Sequence, residues 1–138
     1  MLYDEAATWK VLVVEDDDSN RMVVSHILRF YDAEVFEAAS GEEAVVLLDK
    51  LTDLTFCLFD IQMPHMSGWQ LLKEVRGRPL PAISQVPVIA VTALAMQGDR
   101  ERILAAGFNG YIMKPVDAGT FIEQIADILA TCKETRKV

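Results

Sequence analysis

Three carboxylates stand where apolar runs stop: Glu15 and Asp16 directly after residues 11–14, and Asp60 directly after residues 54–59. If the two runs are neighbouring strands, these like charges share one pocket, which is unfavourable unless a cation joins them. A hard divalent ion answers that need. Mg2+ suits it best, because carboxylates, a backbone carbonyl and waters complete its octahedron and leave a position for a phosphate oxygen. Taken alone, the acidic run 15–18 reads equally well as a solvated turn capping the next helix.

Two further runs end in complementary groups. Residues 86–91 are followed by the hydroxyl of Thr92, and residues 110–113 by the cation of Lys114, with Pro115 next. Singly, such a Thr is a turn residue and such a Lys points to solvent. Together, an acidic pair, an Asp, a Thr and a Lys end the first, third, fourth and fifth runs in turn, and that combination suits a phosphate.

The elements that must position these groups follow from the same pattern. Apolar runs at 11–14, 34–37, 54–59, 86–91 and 110–113 alternate with amphipathic stretches, the signature of βαβ units on a parallel sheet. Four runs are nearly continuous in apolar residues, as strands buried on both faces are, while 34–37 alternates at its ends and reads as an edge. Val24, Ile27, Leu28 and Tyr31 fall at helical spacing, as do Ala44, Leu47, Leu48 and Leu51, the second set opened by a Ser40 to Glu43 capping box. Later helices are expected over 68–76, over 97–105 with Gly107 just past the end, and over 117–131.

The result is an α/β chain, (βα)5, folding as a doubly wound three-layer sandwich with its ligand crevice at the carboxyl ends of the strands. The sheet order 2-1-3-4-5 would make the first and third strands neighbours. Residues 77–87, with Pro79, Pro81 and Pro87, read as an exposed loop that is neither helix nor central strand. The organisation expected is an N-terminal extension at 1–9, one domain at 10–131 and a C-terminal tail at 132–138.

Composition supports one globular domain and narrows its partners. The 138 residues are 51% apolar and carry a net charge of −8, which argues against a sequence-independent grip on nucleic acid or on an anionic membrane. No window is long enough to span a bilayer and the first residues do not form a secretory signal, so the expected location is the cytoplasm. Cys57 and Cys132 lack any CxxC or Cys/His spacing and read as buried or idle thiols. No nucleotide-binding glycine motif occurs.

The residues assembled this way resemble the receiver domain of two-component response regulators, the chemotaxis-type, flavodoxin-like fold, from Lys10 to about Thr131. VVEDD at 13–17 is similar to the family's acidic pair, DIQMPHMSG at 60–68 to its phosphoacceptor loop, and VTA at 91–93 and GYIMKP at 110–115 to its switch hydroxyl, aromatic and lysine. The resemblance implies that Asp60 is the nucleophile that accepts a phosphoryl group from a phosphohistidine on a histidine kinase or histidine phosphotransfer protein. It implies Mg2+ held by Asp16, Asp60 and the Gln62 carbonyl, with Glu15 acting directly or through water, and Lys114 paired with Asp60 or its phosphoryl oxygens. Thr92 and Tyr111 would form the switch, reshaping the face of the fourth helix, fifth strand and fifth helix for a downstream target.

On this reading the chain is a signalling module, catalysing only its own phosphoryl acceptance and hydrolysis, and a monomer or weak homodimer. Gln62 and Leu94, two residues after Asp60 and Thr92, would flank the hydrolytic water, and Leu94 is apolar where many members are polar. His26 and His65 read as structural or solvent-facing, and Trp9 and Trp69 as packing residues. A Mg2+-dependent phosphatase or nucleotidyl-transfer core would share the carboxylates but lacks a DxD, position 62 being Gln, and leaves Thr92 and Lys114 unexplained. A scaffold that signals without phosphate is the third reading. The chain is expected to be a stand-alone receiver or one cut from a longer protein.

Overall fold

The computed structural model describes residues 2–94 and 96–136. Five parallel strands, β1 (Lys10–Val14), β2 (Glu34–Ala38), β3 (Phe56–Asp60), β4 (Val88–Thr92) and β5 (Gly110–Met113), form one sheet in the order β2-β1-β3-β4-β5. This is the doubly wound order expected from the alternation of runs, with the 34–37 strand at an edge.

Alternation along each strand splits the interior into two cores, one on each side of the sheet. Leu12, Val14, Phe59 and Ala90 face one core, completed by Ala44 and Leu48 of α3 (Gly41–Leu48), by Leu71, Leu72 and Val75 of α4 (Gly68–Arg76), and by Ile103 of α6 (Asp99–Ala105). Val11, Val13, Leu58 and Val91 face the other, completed by Val24, Ile27 and Leu28 of α2 (Asp18–Phe30) and by Phe121, Ile122, Ile125 and Leu129 of α7 (Phe121–Arg136). Trp9 packs edge-on to Phe56 at 5.2 Å and Trp69 edge-on to Phe108 at 5.7 Å, so both act as packing residues.

Helix starts follow local chemistry. The Asp17 carboxylate accepts from the Asn20 amide at the start of α2, and Ser67 and Gln70 form a reciprocal capping box at α4. At α3 the Ser40 hydroxyl accepts from the Glu43 amide as expected, while the Glu43 carboxylate reaches back to the amide of Ala39. Gly107, at φ 111°, ends α6 in the left-handed region as its position suggested.

Several bounds differ from expectation. The proline-rich stretch contains a short helix, α5 (Pro81–Ser84), because Pro81 stands at the first turn, where its missing N–H costs nothing. Ile83 from this helix is buried, so the stretch is not wholly exposed. Strand β4 starts at Val88 and β3 at Phe56, each two residues later than the apolar runs suggested. Helix α6 begins at Asp99, after Gly98 at φ 91°, and α7 runs from Phe121 to Arg136, past the expected end at 131. The continuation of α7 has a partner: α1 (Leu2–Glu5) and the 3-10 turn Ala6–Thr8 lie beside it, with Ala6 and Cys132 buried and Glu5 3.6 Å from Lys133.

The entry ends of β4 and β5 are joined by one side chain. The Arg76 guanidinium donates to the carbonyls of Ser84, Val86 and Gly107 and to Asn109 Oδ1, which also accepts from the Val88 amide. Both cysteines are buried and free, and burial pushes the Cys57 thiol up to about 12. No helix among the described residues is long and apolar enough to cross a membrane.

Candidate phosphoacceptor and metal site

The sheet order brings the ends of β1 and β3 side by side, Val14 pairing with Phe59, so the turn after β1 faces the last residue of β3. Oxygens of Glu15, Asp16 and Asp60 all lie within 4.8 Å of one another. Glu15 and Asp60 are buried, at 5% and 6% exposure, whereas Asp16 is open to solvent. Asp60 is the final residue of its strand rather than the first after it, and its Oδ1 accepts from the Gln62 amide at 3.2 Å.

Lys114 reaches this cluster from the end of β5, after which the Lys114–Pro115 peptide is cis. Its Nζ lies 2.6 Å from Glu15 Oε1 and 3.4 Å from Asp60 Oδ1, so the ammonium sits nearer Glu15 than Asp60. Burial pushes the Glu15 carboxyl up to about 7; Asp60 adds to the rise and Lys114 opposes it. For Lys114, burial works against the charge, but the bond to Glu15 and the charge of Asp60 outweigh it and raise its pKa.

The donor set fits a hard divalent ion. Carboxylate oxygens about 2.1 Å from a Mg2+ centre stand up to about 4.2 Å apart, close to the spacing seen here. Oxygen-only ligands with one solvent-open carboxylate leave room for the waters such an ion retains. Glu15, Asp16 and Asp60 are the residues that could hold it. Gln62 is exposed at the rim.

Thr92, fully buried, ends β4, and its Oγ1 accepts from the Leu94 amide at 3.0 Å. In the β4–β5 register Ala90 pairs with Tyr111 and Thr92 with Met113, so alternation puts Thr92 and Tyr111 on the same face of the sheet. Tyr111 and Leu94 are both half-buried and pack against the core on that side. His65 stands exposed in the loop after Asp60 at φ 66°, and His26 lies on α2; neither joins the carboxylate cluster.

Sequence reasoning missed the part that two residues play in shaping the site. A Cβ on Gly68 would lie 2.5 Å from the Asp60 carbonyl oxygen, so only glycine lets α4 start this close to the end of β3. In the sequence Gly68 is the last residue of the 60–68 motif and the expected start of a helix, and neither announces so close an approach. Arg21 donates from Nη1 to the Glu15 carbonyl at 2.9 Å, a contact between helix and strand end that no spacing rule announces.

An open parallel sheet in the order β2-β1-β3-β4-β5, with carboxylates, a hydroxyl and an ammonium gathered at its carboxyl edge, defines a doubly wound α/β domain. The family model described as response regulator receiver domain matches residues 11–126, and the chain belongs to that family. It is similar to the polar-differentiation response regulator DivK of Brucella ovis, at 37% identity over 123 residues covering 88% of this chain and 97% of that protein. It is also 28% identical to probable histidine kinase 6 of Oryza sativa subsp. japonica, covering 91% of this chain and 14% of that one.

Among solved structures, chemotaxis response regulator CheY4 of Vibrio cholerae superposes with a TM-score of 0.78 at 29% identity, over 87% of this chain and 98% of that one. The receiver domain of sensor histidine kinase PA1611 from Pseudomonas aeruginosa PAO1 superposes at 0.77 with 31% identity, over 88% and 98%. That receiver domain has a magnesium ion coordinated in its active site cleft.

Proposed function

We propose that this receiver domain accepts a phosphoryl group on Asp60 from a phosphohistidine of a partner histidine kinase or phosphotransfer protein. An Asp60 carboxylate oxygen attacks the phosphorus, the P–N bond breaks, and its electron pair returns to the imidazole, which takes up a proton. The observation that carries this reading is the Lys114 ammonium set 2.6 Å from Glu15 and 3.4 Å from Asp60. A carboxylate attacking an anionic phosphorus needs positive charge at hand, and Lys114 supplies it from the end of β5, two strands along the same sheet from β3.

Glu15, Asp16 and Asp60, with the Gln62 carbonyl, would hold Mg2+, which when bound offsets charge on the phosphoryl oxygens. Thr92 then turns its hydroxyl from the Leu94 amide to the new phosphoryl group, and Tyr111 moves toward the vacated space. The face of α6, β5 and α7 changes shape and a downstream protein reads it. The protein acts in the cytoplasm as a monomer or weak homodimer, without nucleic acid, consistent with its net charge of −8. Catalysis is confined to its own phosphoryl acceptance and hydrolysis.

Incubation with a small acyl phosphate, with and without Mg2+, tests the reading by intact mass. One added phosphoryl group that requires Mg2+ is expected, and Asp60→Asn removes it while the domain stays folded. Stable labelling of Asp60→Asn at another residue, or no labelling of the native chain, overturns it.

A further inference from the structure

Arg21 lies in the first turns of α2, and its guanidinium folds back toward the end of β1. Nη1 donates to the Glu15 carbonyl at 2.9 Å, Nη2 to Asp18 Oδ1 at 2.6 Å, and Nε stands 3.6 Å from Glu37 Oε1 on edge strand β2. The side chain is 19% exposed. Two hydrogen-bond acceptors and an ion-pair partner, on the end of β1, on α2 and on β2, therefore converge on one planar group, an arrangement a guanidinium meets better than a single ammonium.

The same turn is anchored from its other sides. The Glu15 amide donates to the Ala38 carbonyl at 3.1 Å, the last rung between β1 and β2. Two residues on, the Asp17 carboxylate caps α2 through the Asn20 amide at 2.8 Å. Asp16 is strung between these fixed points, so the direction in which its solvent-open carboxylate leaves the chain is set by how firmly Glu15 and Asp17 are held.

We infer that Arg21 is a positioning residue for the cation site: by holding the Glu15 carbonyl it makes the carboxylates of Glu15 and Asp16 converge with Asp60, and so sets the affinity for Mg2+. This rests on the metal-dependent reading above. Arg21 touches no carboxylate of the cluster in the structure; its charge is met by Asp18 and Glu37 instead. Arg29, 3.1 Å from the other oxygen of Glu37, holds that carboxylate in place.

Charge and positioning make opposite predictions here. Removing a cation near a cation site tightens metal binding on charge alone, whereas releasing the turn weakens it. Arg21→Met, which keeps the apolar stem and deletes every donor, separates the two by the sign of the change.

The experiment is a calorimetric Mg2+ titration of the native domain, Arg21→Met, Arg21→Lys and the remote core variant Leu129→Val, each checked for its fold by amide spectra. Arg21→Met is expected to lose about tenfold in affinity, the lower end of the range for residues that orient metal ligands. Arg21→Lys, able to reach the Glu15 carbonyl alone, should lose less, and Leu129→Val should match the native domain although it destabilises the core. Unchanged or tighter binding in Arg21→Met overturns the inference, as does an equal loss in Leu129→Val. Should Arg21→Met not fold, Glu37→Gln loosens the guanidinium from one side, and a smaller loss in the same direction is expected; no loss overturns the inference. A native domain that binds no Mg2+ fails the functional reading itself, visible before any variant is compared.

Discussion

Lys114 stands closer to Glu15, at 2.6 Å, than to Asp60, at 3.4 Å. The resemblance to the family led to an expected pairing with Asp60, yet the buried Glu15 carboxylate takes the shorter contact. Before a cation binds, Lys114 is thus the counter-charge of both acids. Lys114→Met should lower the urea unfolding stability of the metal-free domain at pH 8 by about 1 to 3 kcal/mol. Added Mg2+ should recover part of that loss, and equal midpoints for variant and native domain would contradict this account.

The Glu15 carboxyl, raised by burial from 4.5 to about 7, gives a pH dependence of definite sign. The folded, metal-free domain keeps a proton on Glu15 between those values while the unfolded chain has released it. Stability from this group is therefore fully present below pH 4.5 and is lost as pH rises through about 7. Urea unfolding in chelator at pH 5, 6 and 8 should show the native domain losing stability relative to Glu15→Gln over this window, with no further change above it.

Thr92→Ala should still accept a phosphoryl group, since the carboxylates and Lys114 remain. What it should lose is the structural response, because Thr92 and Tyr111 share one face of the β4–β5 pair and the proposed switch runs through the hydroxyl. Amide exchange and chemical shifts around Tyr111 after phosphorylation test this; changes equal to those of the native domain would exclude the link.

Leu94 is half-buried beside Thr92, where its apolar side chain cannot orient a hydrolytic water. Replacing it by a polar residue should lower the hydrolysis barrier by about 1 to 2 kcal/mol, roughly tenfold faster decay. The decay of phosphorylated native, Leu94→Glu and Leu94→Asn domains in Mg2+, followed side by side, measures it. Equal or slower decay in the variants would show that Leu94 does not guard the phosphate.

Gly68→Ala places a methyl 2.5 Å from the Asp60 carbonyl oxygen, against backbone that cannot yield without moving the end of β3. A loss of about 1 to 3 kcal/mol is expected from such overpacking, together with slower labelling of Asp60. Thermal unfolding and phosphorylation rates read the two effects separately.

The five strands were legible because burial on both faces demands continuous apolar runs, and the site was legible because polar groups interrupt those runs at their carboxyl ends. The contacts that escaped act across elements. Arg21 folds from a helix onto a strand end, and Gly68 matters through a backbone two elements share; neither leaves a periodicity. The misplaced bounds have the same origin: α7 continues past 131 beside residues 2–8, a tertiary partner that helix propensity does not encode. Pro81 breaks a helix only in its interior, and at the first turn of α5 it starts one.

The Arg76 bridge gives the sheet a built-in asymmetry. Strands β4 and β5 are riveted at their entry ends through Asn109 and the Val86 and Gly107 carbonyls, while their exit ends carry Thr92 and Lys114. Because the two strands also stay paired to their exit ends, where Thr92 faces Met113 and the Lys114 amide donates to the Thr92 carbonyl at 2.8 Å, Thr92 and Lys114 are carried on one stiff two-stranded leaf anchored at its far rim.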